Sequence, residues 1–214
     1  MNGKKQIKRT WGIGIVCVVL LAVFVAGLFF MRMRNGVKIR AHNEFEIVND
    51  FDRYRQDDEA WAEDRLGDSE YAMASSGCLV TCIASAMSSC GIELDLGEMN
   101  RLFSDNNVYD EAGNLLWENL NKLDNFGVDV FPQVEENSYI YLDRCLQGGW
   151  CPIVRVRMYG IGNFHYVWIV GAEDREYLCM APLKDELTKL SEYGDRIYAL
   201  RAYGMGRRNR LSAY

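Results

Sequence analysis

The chain has 214 residues, 49% hydrophobic and 25% charged, with 24 basic and 30 acidic residues and a net charge of −6. The charge is uneven: residues 1–40 carry eight Lys or Arg and no acid, three Arg follow Gly204, and residues 41–203 hold 13 basic against 30 acidic residues. An acidic body excludes the basic footprint that nucleic-acid phosphates require, and no low-complexity tract or fixed-period repeat points away from one ordinary folded domain.

The basic start, residues 1–10, is read as a cytoplasmic N-terminus. Trp11 to Met31 then runs 21 residues without a charge. As a helix it spans about 31 Å, the thickness of a bilayer core. A helix is the physical solution there, because hydrocarbon offers no partner to backbone polar groups. A cleaved signal peptide is the rival; its apolar region is shorter and ends in a small-x-small site, whereas here LFFM continues the run past Gly27. The reading is an uncleaved single-pass anchor over 11–31. Four basic residues flank each side, so positive charge does not orient it; the expectation is a body outside the cell, reached through a basic linker over 32–45.

The body, 46–203, precedes a basic tail at 204–214. Phe45–Tyr54 reads as a short helix or an extended lead-in. SGCLVTCIASAMSSC predicts a buried helix from Cys78 to Ser89, with Ser75 or Ser76 as N-cap and Gly91 as terminator. Leu96–Phe103 and Asn114–Phe126 show helical spacing. Val128–Phe131 reads as a strand, Tyr139–Leu146 as a helix ended by Gly148 and Gly149. Pro152–Val156 reads as a half-buried strand, its apolar residues alternating with Arg155 and then Arg157. His165–Val170 and Tyr177–Met180 are strands joined by AEDRE, and Ile197–Tyr203 is the last. Helices first and an antiparallel sheet second define an α+β fold.

Seven cysteines are present, Cys17, Cys78, Cys82, Cys90, Cys145, Cys151 and Cys179, with no CxxC pair, so neither a metal site nor a cofactor is expected. Cys17 lies in the apolar run; the other six would permit disulfides, with no pairing deducible. A thiol attacks as thiolate, and a helix N-terminus favours that form. Cys78 holds such a place. Only two histidines exist. His42 falls in the linker; His165 opens a strand after YGIGNF, where its ring could face a cleft as general base. Cys82, one turn beyond Cys78, reads as core, and Trp61, Trp117, Trp150 and Trp168 as core or cleft wall.

RYRQDDEAWAEDRLG, SSGCLVTCIASAM, GGWCPIVRV and FHYVWIVG, in that order, resemble blocks of the bacterial family-thirty-nine cysteine peptidases and their single-domain relatives, members of the papain-like clan. LTKLSEYGDRIYALRAY is similar to the end of that domain, so the resemblance runs from about Tyr54 to about Tyr203. It implies a papain-like fold, Cys78 as nucleophile, His165 as base, and Gln56 as the upstream glutamine of the oxyanion hole. The expected partner is a peptide or protein substrate. Two departures stand out. Leu79 and Val80 follow the cysteine where the family has small residues or proline. In CMAPL, Ala181 occupies the place of the Asn or Asp that orients the histidine, leaving Asp185 or Asp174 as off-position substitutes. Three functions follow: peptide or amide hydrolysis by a Cys–His dyad, a papain-like binding module without turnover, and a cell-wall amidase or acyltransferase using the same dyad.

Overall fold

The structure is a computed structural model that describes residues 2–124, 126–131 and 134–204. It divides into two compact units, Met1–Asn35 and Gly36–Tyr214. The first is one helix, α1 (Asn2–Met33). Its stretch Ile15–Met33 has a mean hydropathy of 2.7 and none of it is buried. At 1.5 Å per residue those 19 residues reach about 28 Å, long and apolar enough to cross a bilayer. A membrane anchor and a signal sequence both pass that test.

The second unit is mixed α+β around an antiparallel sheet. It begins at Gly36, inside the stretch read as a linker. There β1 (Val37–Lys38) pairs with a late strand, and Ile39 and Ala41 are buried. The next segment is extended: the Phe45 amide bonds Ala172 O and the Val48 amide bonds Val170 O. It takes up ladder groups of a sheet strand at a bulge around Gly171, where a side chain would meet Glu46 O and Ile47 Cα at 2.9 Å.

Three helices then follow in quick order: α2 (Met73–Ser76), α3 (Cys78–Ser88) and α4 (Leu96–Asp105). α3 is buried from Val80 through Met87. It stops where Gly91 takes φ +77° and the Ile92 amide reaches back to Met87 O at 3.2 Å. α4 starts on a capping box, with Asp95 accepting from the Glu98 amide and Glu98 from the Asp95 amide.

The helix expected over Asn114–Phe126 shrinks to α5 (Trp117–Leu120). Polar side chains outcompete it at both ends. Asp110 accepts from the amides of Ala112 and Asn114 and closes a turn. Asn121 exchanges two hydrogen bonds with the backbone of Val128. Such local bonds offer the backbone an alternative to a helix.

β2 (Val128–Phe131), α6 (Ser138–Gln147), β3 (Cys151–Arg157), β4 (Phe164–Glu173), β5 (Glu176–Met180) and β6 (Thr188–Lys189) follow. The expected last strand divides into β7 (Arg196–Ile197) and β8 (Ala199–Tyr203), with β1 pairing to β7. The main sheet runs β2-β8-β3-β4-β5-β6, all antiparallel. β4 and β5 meet through Asp174 and Arg175, both at positive φ, a two-residue hairpin turn. β3 is more buried than the expected half-buried strand, because β8 and β4 flank it.

Alternation assigns the two faces. Ile153, Trp168, Val170 and Tyr203 pack with Ile83, Met87, Met99 and Phe103 of α3 and α4. Val154, Val156, Val167, Ile169 and Leu200 pack on the other side with Ile39, Leu142 and Tyr177. Each large apolar side chain so buried contributes about 1.5–3 kcal/mol. The sheet is thus covered on both faces, and α3 lies on one of them.

Candidate active site

Cys78 is the first residue of α3, after Gly77 as N-cap. Neither Ser75 nor Ser76 caps the helix, correcting the expectation: both belong to α2, and the Ser75 hydroxyl donates to Ala72 O at 2.9 Å. The glycine before the cysteine is sterically required. A Cβ there would meet Met73 O at 2.7 Å and press on the Met73 sulfur. Helix geometry leaves the first amides without intrahelical partners, so those of Cys78 and Leu79 face the thiol.

The start of β4 lies against this first turn. The Tyr166 amide serves the Cys78 sulfur, and the Cys82 thiol donates to Tyr166 O at 3.5 Å. Tyr166 directly follows His165, so the backbone beside His165 meets the first turn of α3. Among the described residues no hydrogen bond joins Cys78 to His165. The imidazole is 4% exposed, and its Nε2 is buried without a partner.

His165 sits across from Val156 on β3, on the face of the sheet opposite Tyr166. Ala181 shares that face, one residue beyond the last β4–β5 pair, Trp168 with Met180. Ala181 and the orphaned Nε2 therefore lie on the same side of the same two strands. Neither substitute fills the gap. Asp174 is in the hairpin turn at the far end of β4, and the Asp185 carboxylate is held by Arg55 at 2.8 Å.

Gln56 is 3% exposed and ties two parts of the site together. Its backbone amide bonds Pro182 O, next to Ala181, at 3.0 Å. Its side-chain Nε2 bonds Ala74 O of α2 at 2.6 Å, and its Oε1 is buried without a partner. One amide hydrogen is therefore already engaged, and the other remains for a ligand.

The electrostatics differ from the sequence expectation of a helix-activated thiolate. Burial pushes the Cys78 thiol up, and the amides of Tyr166, Leu79 and Cys78 itself offset only part of the shift. Burial likewise lowers His165 from 6.5 to about 4. Loss of hydration disfavours whichever form is charged, so thiol and imidazole both rest neutral. Cys82 is fully buried and pushed up further still, a core position as expected.

The remaining candidates sort by contact. His42 is exposed and stacks on Tyr139 with ring centroids 4.2 Å apart. Trp168 and Trp150 are core, while Trp61 caps Arg55 O through its indole N–H. All seven cysteines are free, and no cluster of metal-ligating side chains occurs among the described residues. The sequence reading passed over Tyr166, whose backbone serves two thiols, and the arginines of β3. Alternation had put Arg155 and Arg157 on one face, but only the register sets Arg155 opposite Tyr166. Comparison with family models, with curated proteins and with solved structures returns no match.

Proposed function

We propose that the body is a papain-like cysteine peptidase, resembling the family-thirty-nine enzymes, held to the cell membrane by α1 with the body outside. The observation that carries this reading is the first turn of α3 set against the residue after His165, with Gln56 bridging α2, the helix just before it, to the strand end at Pro182. In this reading His165 accepts the Cys78 proton as the sulfur attacks a peptide carbonyl. The oxyanion is met by the Cys78 amide and the free N–H of Gln56. The imidazolium then protonates the leaving amine, and water, deprotonated by His165, releases the acyl group from the thioester. Because both groups rest neutral, proton transfer accompanies attack rather than preceding it.

The orphaned Nε2 favours a second reading, a papain-like binding module without turnover. An amidase or acyltransferase would use the same dyad. Incubation of the full-length chain in detergent with a peptide library, beside a Cys78→Ala control, separates these readings. Cleavage that disappears in the control supports the peptidase. Peptide binding without cleavage in either sample overturns it in favour of the module.

A further inference from the structure

The helix-side face of the sheet carries a row of arginines that no step above uses. Arg155 and Arg157 alternate along β3 on the face that Ile153 shares with α3 and α4, and Arg201 of β8 sits opposite Ile153. Arg155 is directly across from Tyr166, the residue whose amide serves the Cys78 sulfur. The row therefore runs beside the nucleophile.

Two of these guanidiniums share one ring. Arg155 lies 4.4 Å and Arg157 3.9 Å from the Phe164 centroid, so the charges are no more than about 8 Å apart. Arg157 also spends one N–H on Gly162 O at 2.9 Å. Neither has a carboxylate within salt-bridge distance among the described residues, and both Nε atoms are buried without partners. The body has more than two acids for every base, yet these cations share an aromatic ring rather than an acid. Both remain partly exposed, and the connection beside them shows Tyr159, Ile161 and Phe164 to solvent. Like charges held together, with donors unspent and apolar side chains alongside, fit an anion that arrives with an apolar neighbour.

We propose that Arg155 and Arg157 form a carboxylate-binding subsite beside Cys78, fitting a peptide that carries an acidic group next to an apolar side chain. This rests on the peptidase reading for its meaning as substrate recognition. The carboxylate is that of an Asp or Glu side chain or of a free C-terminus.

The test is fluorescence anisotropy of labelled peptides on the full-length chain in detergent, with Cys78→Ser to prevent turnover. Three probes share an apolar sequence: one with an internal Glu and an amidated end, one neutral with a free C-terminus, one neutral and amidated. At least one acid probe should bind roughly tenfold tighter than the amidated neutral peptide, and which one names the source. Added salt should erase the preference. Arg155→Gln with Arg157→Gln should abolish it, and Arg155→Lys with Arg157→Lys should restore part of it. Salt dependence in the chain with both arginines intact decides the question even where the double variants fail to fold. Equal binding of all three probes, binding of none, or a preference that survives salt or the Gln pair overturns the subsite. Selective acid binding with no cleavage by the unmodified chain would instead remove the peptidase reading and leave the subsite standing. Cys78-dependent cleavage without acid preference does the reverse.

Discussion

The two ends of α3 are built on opposite terms. At its N-terminus Cys78 meets three amides but, among the described residues, no side-chain partner, and Gln56 Oε1 and His165 Nε2 are buried with no partner among them. Past its C-terminus, Cys90 hydrogen-bonds Cys151, Ser89 lies 4.0 Å from one sulfur and 3.9 Å from the other, and the Ser89 hydroxyl donates to Ala86 O. A helix dipole alone would lower the first thiol and raise the thiol at the far end. The reverse holds: Cys78 is raised by burial, whereas the hydrogen bond from Cys151 lowers Cys90. The dipole contributes about 0.3–1 kcal/mol at a surface site, and desolvation of an anion or a direct hydrogen bond to it outweighs that. One end is satisfied; the other keeps donors and acceptors in reserve.

The largest effect that sharpens this contrast is on cleavage. Cys78→Ala should reduce peptide cleavage by roughly a thousandfold or more, while Cys90→Ala should leave it within about twofold. Product formation measured side by side on the two variants decides it. A loss at Cys90 matching the loss at Cys78 would place the chemistry at the wrong end of the helix.

Next comes acid stability. His165 has a folded-state value of about 4 against 6.5 unperturbed. Between those values the unfolded chain binds more protons, so folding weakens as pH falls. The contribution is complete above pH 6.5 and is lost as pH drops through 4. The shift is worth about 3 kcal/mol. Denaturant unfolding of the body in the full chain should show this loss between pH 7 and 4, and His165→Gln should flatten that part of the profile. An unchanged slope in the variant would mean other groups carry the acid sensitivity.

Alkylation compares the two thiols directly. With iodoacetamide at pH 7, Cys90 should react several-fold or more faster than Cys78, because the thiolate is the reactive form. Cys78 labelling should keep rising with pH past 9, read by mass spectrometry of the modified peptides. A Cys78 rate already at its plateau by pH 7 would mean that a thiolate–imidazolium pair forms in solution.

Much of this site was legible in the chain. Small and apolar residues from Cys78 onward mark a buried helix, and apolar alternation with the Asp174–Arg175 turn marks the β4–β5 hairpin. Ala181 stands where the family resemblance expects an orienting group, and the His165 Nε2 is buried without a partner. What failed was non-local. Leu115, Leu116, Leu120 and Leu123 have helical spacing, but Asp110 and Asn121 bind the backbone first. Basic residues 32–45 resemble a linker, yet Ile39 is buried because β1 finds β7 far along the chain. Thiol acidity followed the burial around Cys78, which no helix-start motif encodes.

The smallest effect probes the gap at Ala181. In the papain-like arrangement a side-chain oxygen beside the far nitrogen of the histidine fixes its ring plane and tautomer and steadies the imidazolium. Here that nitrogen is buried and unpartnered, and Ala181 shares its face of the sheet at 1% exposure. A buried donor or acceptor left unsatisfied costs about 1–3 kcal/mol, so a correctly placed acceptor should recover part of that in the transition state. Ala181→Asn should therefore raise cleavage about tenfold, equivalent to roughly 1.4 kcal/mol. Ala181→Leu, equally bulky but apolar, should leave it unchanged or lower. The pH profile separates positioning from mere packing. An oxygen on Nε2 raises the His165 value, so the acid limb of cleavage should move to higher pH in Ala181→Asn and stay in place in Ala181→Leu. A faster Leu variant, or an Asn variant with neither gain nor shift, would show that His165 is oriented by something other than the strand end at Ala181.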